Sequence, residues 1–212
     1  AGISIIYQEF NLLPERTVAE NIFLGREPHR FGVIDYKQLE ADTLAVLERL
    51  EAQDLISPTA QLGTLSVAQQ QVVEIAKALS FDAKVLIMDE PTAALASQEV
   101  AVLTDLVRRL QASGIAVIYI SHRLVEIFDL AQRVTVLKDG QKVTTELIGD
   151  LTMSRIVELM VGRVLSEYFP ERARPEDIGD MVLRLRGASN DALHDIDLDI
   201  RAGEIVGVAG LQ

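Results

Sequence analysis

Two adjacent carboxylates, Asp89 and Glu90, follow a short apolar run that begins at Val85. Such a run is typical of a buried parallel strand, and open α/β folds bind their ligands where these strands end. At this position one carboxylate can hold Mg²⁺ and the other can orient or deprotonate an attacking water, as phosphoryl transfer requires. The residue types therefore point to phosphate chemistry, while the same Asp-Glu pattern also occurs at solvated sheet edges.

His122 and Gln8 stand at the ends of two further predicted strands. Residues 115–120 predict a second buried strand, and Ser-His-Arg follows it at positions 121–123. If this strand is a parallel neighbour of the first, Glu90 and His122 reach the same sheet edge and can contact one phosphate. Gln8 follows a strand-like run at residues 2–7. Its amide can meet a metal ion, a water or a partner, or it can be an ordinary loop residue.

Ser66 and Gln69 have the spacing of a capping box at the start of a helix that continues to Leu79. The backbone N–H groups and the positive end of the dipole at such a helix start can hold an anion. The alternative interpretation of this segment is a well-capped helix without a ligand.

Helices are predicted around these motifs. Thr17 is predicted to cap a short helix, and Asp35 to start a long amphipathic one. Together with the helix after Ser66 they predict a helical layer that contains no strands of its own. After the two acids, Ser97 is predicted to cap a helix that stops at Gly114.

The second half of the sequence predicts a hairpin, a short helix and a new domain. Asp139-Gly140 is a turn dipeptide between two short strands, and residues 152–161 have a helical pattern. Residues 162–179 contain prolines and mixed charge and predict a linker. The apolar run at 205–208 predicts a buried strand and ends at Gly210. Both ends of the sequence fall in strand-like runs, which indicates a fragment.

Composition narrows the classes of function. Of the 212 residues, 49% are apolar and 25% charged, which is enough for a sizeable core. The net charge of -12, without a cluster of Lys and Arg, argues against nucleic-acid binding. The sequence has no cysteine, which excludes disulfides and thiolate chemistry and suits a reducing compartment. Its longest apolar runs are too short to span a membrane.

Four segments, in this order along the chain, resemble motifs of ABC-type ATPases. They resemble the Q-loop, the signature motif, the Walker B motif and the switch histidine, and they are Gln8 and residues 65–69, 85–92 and 121–123. A narrower resemblance is to the tandem-cassette ATP-binding subunits of bacterial monosaccharide importers. The segments that carry it are residues 17–27, 65–79, 88–92 and 119–123.

The resemblance implies an α/β fold, namely an incomplete P-loop NTPase cassette of the ABC type with a helical subdomain, followed by the first strands of a second cassette. Residues 1–161 would be the C-terminal part of the first cassette. Within it, residues 11–80 would form the helical subdomain, and residues 1–10 and 81–161 the rest of the catalytic subdomain. Residues 162–179 would be the linker, and residues 180–212 would begin the second cassette.

The resemblance also implies roles at the first cassette's own nucleotide. Asp89 would hold Mg²⁺, and Gln8 would touch the Mg²⁺ or the lytic water. Glu90 would be the general base, and His122 would contact the γ-phosphate of ATP. The phosphate-binding loop of this cassette would precede residue 1, so the chain alone is expected to bind ATP poorly and to be inactive.

A second set of residues would serve the opposite cassette. Ser66, the backbone of Ala68, and Gln69 would contact the γ-phosphate of an ATP held there, and Gly210 would begin the phosphate loop of the second cassette. Ala68 stands where the family usually has glycine, and Ala96 where many members have Asp. These departures indicate that the two nucleotide sites of the parent protein are unequal.

The implied function is that of an ATP-hydrolysing subunit that energises monosaccharide import. Its partners would be transmembrane permease subunits, a periplasmic sugar-binding protein indirectly, and a second ATPase cassette in the same chain or in a second copy, without nucleic acid. Its location would be the cytoplasmic face of the bacterial inner membrane, as a peripheral protein. Two alternatives stay open: a soluble ABC-type ATPase that acts on nucleic acid or the ribosome, and a non-catalytic interaction remnant.

Overall fold

The computed structural model describes residues 2–162 and 178–208. The chain divides into two compact units between Met153 and Ser154, within the first turn of a helix. The first unit contains β1 (Ile3–Ile6), α1 (Val18–Ile22), β2 (His29–Arg30), β3 (Val33–Ile34), α2 (Tyr36–Arg49), α3 (Val67–Leu79), β4 (Val85–Asp89), α4 (Ser97–Ala112), β5 (Ala116–Ile120), α5 (Leu124–Leu130), β6 (Arg133–Lys138) and β7 (Gln141–Leu147). The chain continues with α6 (Met153–Val161), β8 (Met181–Ala188) and β9 (Ile196–Arg201).

A three-stranded parallel sheet in the order β1-β4-β5 lies at the centre of the first unit. One face of this sheet is buried: Ile6, Leu86 and Met88 are each at most 1% exposed. They share one core with apolar side chains of α3 and α4. Burying a side chain of this size contributes about 2 kcal/mol, so this face holds the register of the sheet.

The opposite face of the sheet is more open than the sequence predicts. Residues of β5 alternate in exposure, and Ile118 and Ile120 are 51% and 46% exposed. Ile3 and Ile5 of β1 lie on the same face and are also exposed. The prediction of a fully buried strand at residues 115–120 is therefore wrong for this structure. An apolar run is buried on both sides only where other elements cover both faces of its sheet.

The helical layer consists of α1, α2 and α3, which contact one another and share the core with the sheet. The predicted caps are confirmed at Thr17 and Asp35, whose side chains accept from the backbone N–H groups of Glu20 and Gln38. The prediction that this layer has no strands is wrong. β2 and β3 pair as a two-residue hairpin, with Phe31 and Gly32 at positive φ in its turn.

The predicted hairpin is confirmed as β6 and β7, with Asp139 and Gly140 both at positive φ as a tight turn of this kind requires. The predicted helix at 152–161 is confirmed as α6. In the second unit, β8 and β9 form an antiparallel pair. The predicted buried strand at 205–208 is wrong for this structure: Ile205 and Val208 are 98% and 90% exposed. Among the described residues of that unit, no strand pairs with this run to cover it.

Two predictions fall outside the described part of the chain in whole or in part. Gly210 is not among the described residues, and the linker predicted at 162–179 is described only at its two ends. Within residues 2–162 and 178–208, no helix has both the length and the apolar character that crossing a membrane demands.

α4 begins one residue earlier than a cap at Ser97 implies. Its N-cap is Ala96, which has extended backbone angles and no side-chain oxygen to bond the first-turn N–H groups. The reciprocal half of a capping box is present, because the Ala96 N–H donates to Glu99 Oε2 at 2.9 Å. The prediction of Ser97 as the cap is wrong, and the true cap position lacks a capping side chain.

We expect Ala96→Ser to stabilise the chain by about 1 kcal/mol, because a serine hydroxyl completes the capping box with Glu99. Urea denaturation of the two chains measures the difference. Ala94→Ser places the same hydroxyl in the same exposed loop away from the cap, and we expect it to change the free energy of unfolding by less than about 0.5 kcal/mol. Equal effects of the two substitutions would contradict the assignment of the cap.

Candidate active site

The carboxyl ends of β4 and β5 bring Glu90 and His122 together. The two strands are parallel neighbours, and Asp89 is paired with Ile120. The pairing continues one residue further, because the Glu90 N–H donates to the Ile120 carbonyl at 2.9 Å. His122 Nδ1 then lies 3.0 Å from Glu90 Oε1. The predicted meeting of these two residues at one sheet edge is confirmed.

Glu90 has a left-handed backbone conformation, with φ of 45°. This conformation costs a non-glycine residue about 1 kcal/mol or more and persists only where the surroundings hold it. Two backbone hydrogen bonds hold it here, one from Glu90 N–H to Ile120 and one from Ala93 N–H to the Glu90 carbonyl at 3.1 Å. The turn after β4 is therefore fixed to β5 on the side where the carboxylate meets His122.

Asp89 supplies a carboxylate that is open to a ligand. It ends β4 and is partly exposed. Within the described residues, no side-chain hydrogen bond or ion pair occupies its oxygens. Hard oxygen ligands suit Mg²⁺, which usually binds one or two carboxylates together with substrate phosphates and waters. The same part of the chain contains no group of three or more His, Cys, Asp and Glu side chains able to hold a metal. Asp89 thus fits a Mg²⁺ shared with a phosphate.

Gln8 lies at the same sheet edge but does not join the other site residues. It follows β1, whose last residue Ile6 pairs with Met88 of β4, and it is exposed. In the described structure no hydrogen bond links its side chain to Asp89 or Glu90. The sequence thus placed Gln8 at the correct edge, and its contact with a metal stays a prediction.

The loop after Gln8 is hydrogen-bonded to α3. The Asn11 N–H donates to Glu74 Oε1, and Lys77 Nζ donates to the Asn11 carbonyl, each at 2.7 Å. Glu74 is 7% exposed. Burial raises the pKa of the Glu74 carboxyl above its ordinary value, while Lys77 and the Asn11 N–H oppose that rise.

Ser66 and Gln69 form the predicted capping box at the start of α3. Ser66 Oγ accepts from the Gln69 N–H at 3.3 Å, and Gln69 Oε1 accepts from the Ser66 N–H at 3.0 Å. Gln69 Nε2 also donates to the Leu55 carbonyl at 3.0 Å. Within the described residues this leaves the N–H groups of Val67 and Ala68 free. In the described structure no hydrogen bond joins this helix start to Asp89, Glu90 or His122.

Sequence reasoning missed Glu126. This residue of α5 is 6% exposed, and its carboxylate accepts the hydroxyls of Thr92 and Tyr119, each at 2.9 Å. The sequence signal was the set of hydroxyl residues at the ends of neighbouring strands, which need an acceptor when they are buried. Burial and the Glu126 carboxylate raise the pKa of the Tyr119 hydroxyl, which therefore stays a donor.

The parallel sheet carries an Asp-Glu pair and a histidine at its carboxyl edge, and the helical layer is inserted in the chain between β1 and β4. This arrangement is that of an ABC-type ATPase cassette of the P-loop NTPase class. The family described as ABC transporter matches residues 1–93. The chain therefore contains a domain of this family at residues 1–93. Its fold is also similar to a crystal structure of the ADP conformation of an ATP-binding cassette of an ABC transporter. The TM-score is 0.60 at 26% identity, covering 79% of this chain and 68% of that one.

Curated relatives are similar over nearly the whole chain. It is 50% identical over 211 residues to the ribose import ATP-binding protein RbsA 1 of Streptomyces avermitilis, covering 99% of this chain and 40% of that protein. It is 51% identical over 211 residues to RbsA 1 of Rubrobacter xylanophilus, covering 99% and 41%. It is 42% identical over 211 residues to the galactose/methyl galactoside import ATP-binding protein MglA of Sodalis glossinidius, covering 99% and 41%. The chain thus spans about 40% of the length of these relatives.

The raised pKa of Glu74 predicts how the stability of the chain depends on pH. The folded state binds this proton more tightly than the unfolded state, whose carboxyl titrates near the ordinary value of 4.5. Stability contributed by this group is therefore lost as the pH rises from the unfolded pKa through the folded pKa. Glu74→Gln cannot titrate and keeps an oxygen for the Asn11 N–H. We expect a smaller loss of stability over this range and a variant more stable than the parent at neutral pH.

Free energies of unfolding in urea, measured from about pH 4 to about pH 8, provide this comparison. Glu40→Gln removes an exposed carboxylate from α2 and is the matched control. An unchanged pH profile in Glu74→Gln, or the same change in both variants, would refute the role of buried Glu74.

Proposed function

We propose that the chain is part of an ATP-hydrolysing subunit that energises the import of a monosaccharide through a membrane permease. The observation that carries this proposal is the 3.0 Å contact between His122 and Glu90. It lies beside Asp89, whose carboxylate oxygens accept no side-chain hydrogen bond within the described residues. The proposal is supported by relatives whose names describe ribose and galactose import ATP-binding proteins. Together these findings favour ATP hydrolysis coupled to sugar transport over the two alternatives.

Glu90 is the proposed general base. Its Oε1 contacts His122, and in the described structure its Oε2 has no hydrogen bond and can accept the proton of an attacking water. Because the carboxylate accepts, Nδ1 of His122 donates. Nε2 can then donate to a γ-phosphate oxygen only when the ring is an imidazolium.

Asp89 is the proposed ligand of Mg²⁺, with Gln8 as a further oxygen donor to the ion or to the attacking water. When bound, Mg²⁺ neutralises charge on the phosphate oxygens. The support for this assignment is the position of Asp89 at the carboxyl end of β4, where its oxygens have no side-chain hydrogen bond or ion pair within the described residues. Gln8 follows β1, the strand that pairs with β4, and lies at the same edge of the sheet.

The start of α3 is proposed to contact the nucleotide of an opposite cassette. Ser66 and Ala68 would act there through the helix dipole and through the N–H groups of Val67 and Ala68, which have no acceptor within the described residues. Gln69 Nε2 donates one of its two N–H groups to the Leu55 carbonyl, and the other can donate to a phosphate oxygen. The opposite cassette would lie in the same chain or in a second copy, and Gly210 would begin a phosphate loop there.

The proposed domain organisation follows the family pattern. Residues 1–161 form the later part of one cassette, residues 162–179 a linker and residues 180–212 the start of another. The protein would bind permease subunits at the cytoplasmic face of the inner membrane, as a peripheral protein, and serve a periplasmic sugar-binding protein through them. Nucleic acid is not a proposed partner, given the net charge of -12.

Glu90→Gln in the full-length product of the gene tests the general base. We expect ATP binding to persist and turnover to fall by at least about 100-fold, because the amide cannot accept the proton of water. Phosphate release measures turnover, and a fluorescent nucleotide measures binding. Glu48→Gln, on the exposed side of α2, is the control that keeps normal turnover. Turnover within about twofold of the parent in Glu90→Gln would rule out this role.

The transport role is tested with the same full-length product, expressed together with the permease of a ribose or galactose importer. We expect the two to purify as one complex from detergent-solubilised membranes and to drive ATP-dependent uptake of one of these sugars into vesicles. Glu90→Gln should form the complex and abolish uptake. Recovery of the protein with ribosomes or nucleic acid, without the permease, would support the first alternative instead.

A further inference from the structure

The Glu126 carboxylate is the common partner of four donor side chains near the carboxyl edge of the sheet. Thr92 Oγ1 lies 2.9 Å from both carboxylate oxygens, and Tyr119 OH donates to Oε2 at 2.9 Å. Ser121 Oγ donates to Oε2 at 3.3 Å, and Arg123 NH1 lies 3.0 Å from Oε1. Three hydroxyls and one guanidinium thus converge on one carboxylate.

Burying the Glu126 carboxylate costs free energy unless its donors are in place. A carboxylate at 6% exposure loses nearly all of its hydration, and only hydrogen bonds and an opposite charge offset that loss. Glu126 obtains both from the residues around it. Thr92 is itself 2% exposed, so its hydroxyl also needs the partner that Glu126 provides.

The donors belong to the two segments that carry the proposed catalytic pair. Thr92 follows Glu90 by two residues, in the turn after β4. Ser121 and Arg123 are the chain neighbours of His122, and the Arg123 N–H also donates to Ser121 Oγ at 2.9 Å. Glu126 therefore ties the turn after β4 to the segment after β5 on both sides of His122.

The pair has little other support from side chains. The His122 side chain is 68% exposed and that of Glu90 29% exposed. Within the described residues, the only side-chain hydrogen bond of either is the one between them. Their relative position is thus set by the backbone of the two segments, which Glu126 joins.

We propose that Glu126 is a positioning residue that holds Glu90 and His122 at their mutual distance. Glu126 does not touch the reacting atoms and acts through the segments that it joins. The inference rests on the proposed function, because positioning matters only if Glu90 and His122 serve ATP hydrolysis.

Glu126→Gln in the full-length gene product is the test. A carboxamide has one acceptor oxygen, and its NH₂ group faces donors, so part of the cluster loses its acceptor while the volume stays the same. We expect kcat for ATP hydrolysis to fall about 10- to 100-fold with nucleotide affinity unchanged, because small misplacements of reacting groups have effects of this size. Asp129→Asn removes an exposed acid from the same helix, where it pairs with Arg108, and should leave both quantities unchanged.

A double substitution separates positioning from general loosening of the fold. If Glu126 acts through the pair, adding Glu126→Gln to Glu90→Gln should change the residual rate by less than about twofold. Multiplicative effects of the two substitutions, or an equal loss of affinity and kcat, would overturn the proposal. If Glu126→Gln does not fold, Tyr119→Phe removes one donor and should lower kcat about threefold at unchanged affinity. An unchanged kcat in Tyr119→Phe would then overturn it.

The ATPase activity of the unsubstituted protein distinguishes failure of this inference from failure of the proposed function. If the unsubstituted protein hydrolyses no ATP together with its permease, the proposed function and this inference both fail. If it hydrolyses ATP and Glu126→Gln matches its rate, only the positioning role fails.

Discussion

The parallel pairing of β4 with β5 is the constraint on which the site depends. Leu86 and Met88 are buried on one face of β4, and a shift of the register by one residue would turn them to the other face. The buried face therefore fixes which residue of β5 lies opposite Asp89. Once Asp89 is opposite Ile120, the bond from the Glu90 N–H to Ile120 and the contact with His122 follow within two residues. The burial of apolar side chains on β4 thus determines the geometry of the polar site at the carboxyl ends of β4 and β5.

The helical layer holds the loop that follows Gln8. Asn21 of α1 accepts from the Leu13 N–H at 2.7 Å and donates to the Leu13 carbonyl at 3.0 Å. Glu74 and Lys77 of α3 bind the backbone of Asn11 in the same way. Asn21 is fully buried, and Glu74 nearly so. Gln8 therefore lies between the sheet edge and a loop that is hydrogen-bonded to both α1 and α3.

Much of the fold could be predicted because its signals are local. The cap at Thr17, the capping box at Ser66, the Asp139-Gly140 turn and the apolar run of β4 each occupy a few consecutive residues. The interactions that form each of them lie within those few residues, and the structure confirms each of them. The hairpin of β2 and β3 was missed because two-residue strands have no periodicity. The cap of α4 was misplaced because Ala96 has no capping side chain to mark it.

The sequence by itself determined which residues lie at the carboxyl ends of the strands, among them Asp89, Glu90 and His122. It did so because a strand end and a helix start are defined by neighbours in the chain. Only the tertiary structure decided the exposure of Ile118 and Ile205, since burial depends on what covers a strand. It also decided the role of Glu126, whose partners Thr92 and Tyr119 are 34 and 7 positions away in sequence. A buried carboxylate is stable only where distant segments bring donors to it, and that condition is set by the packing of β4, β5 and α5 together.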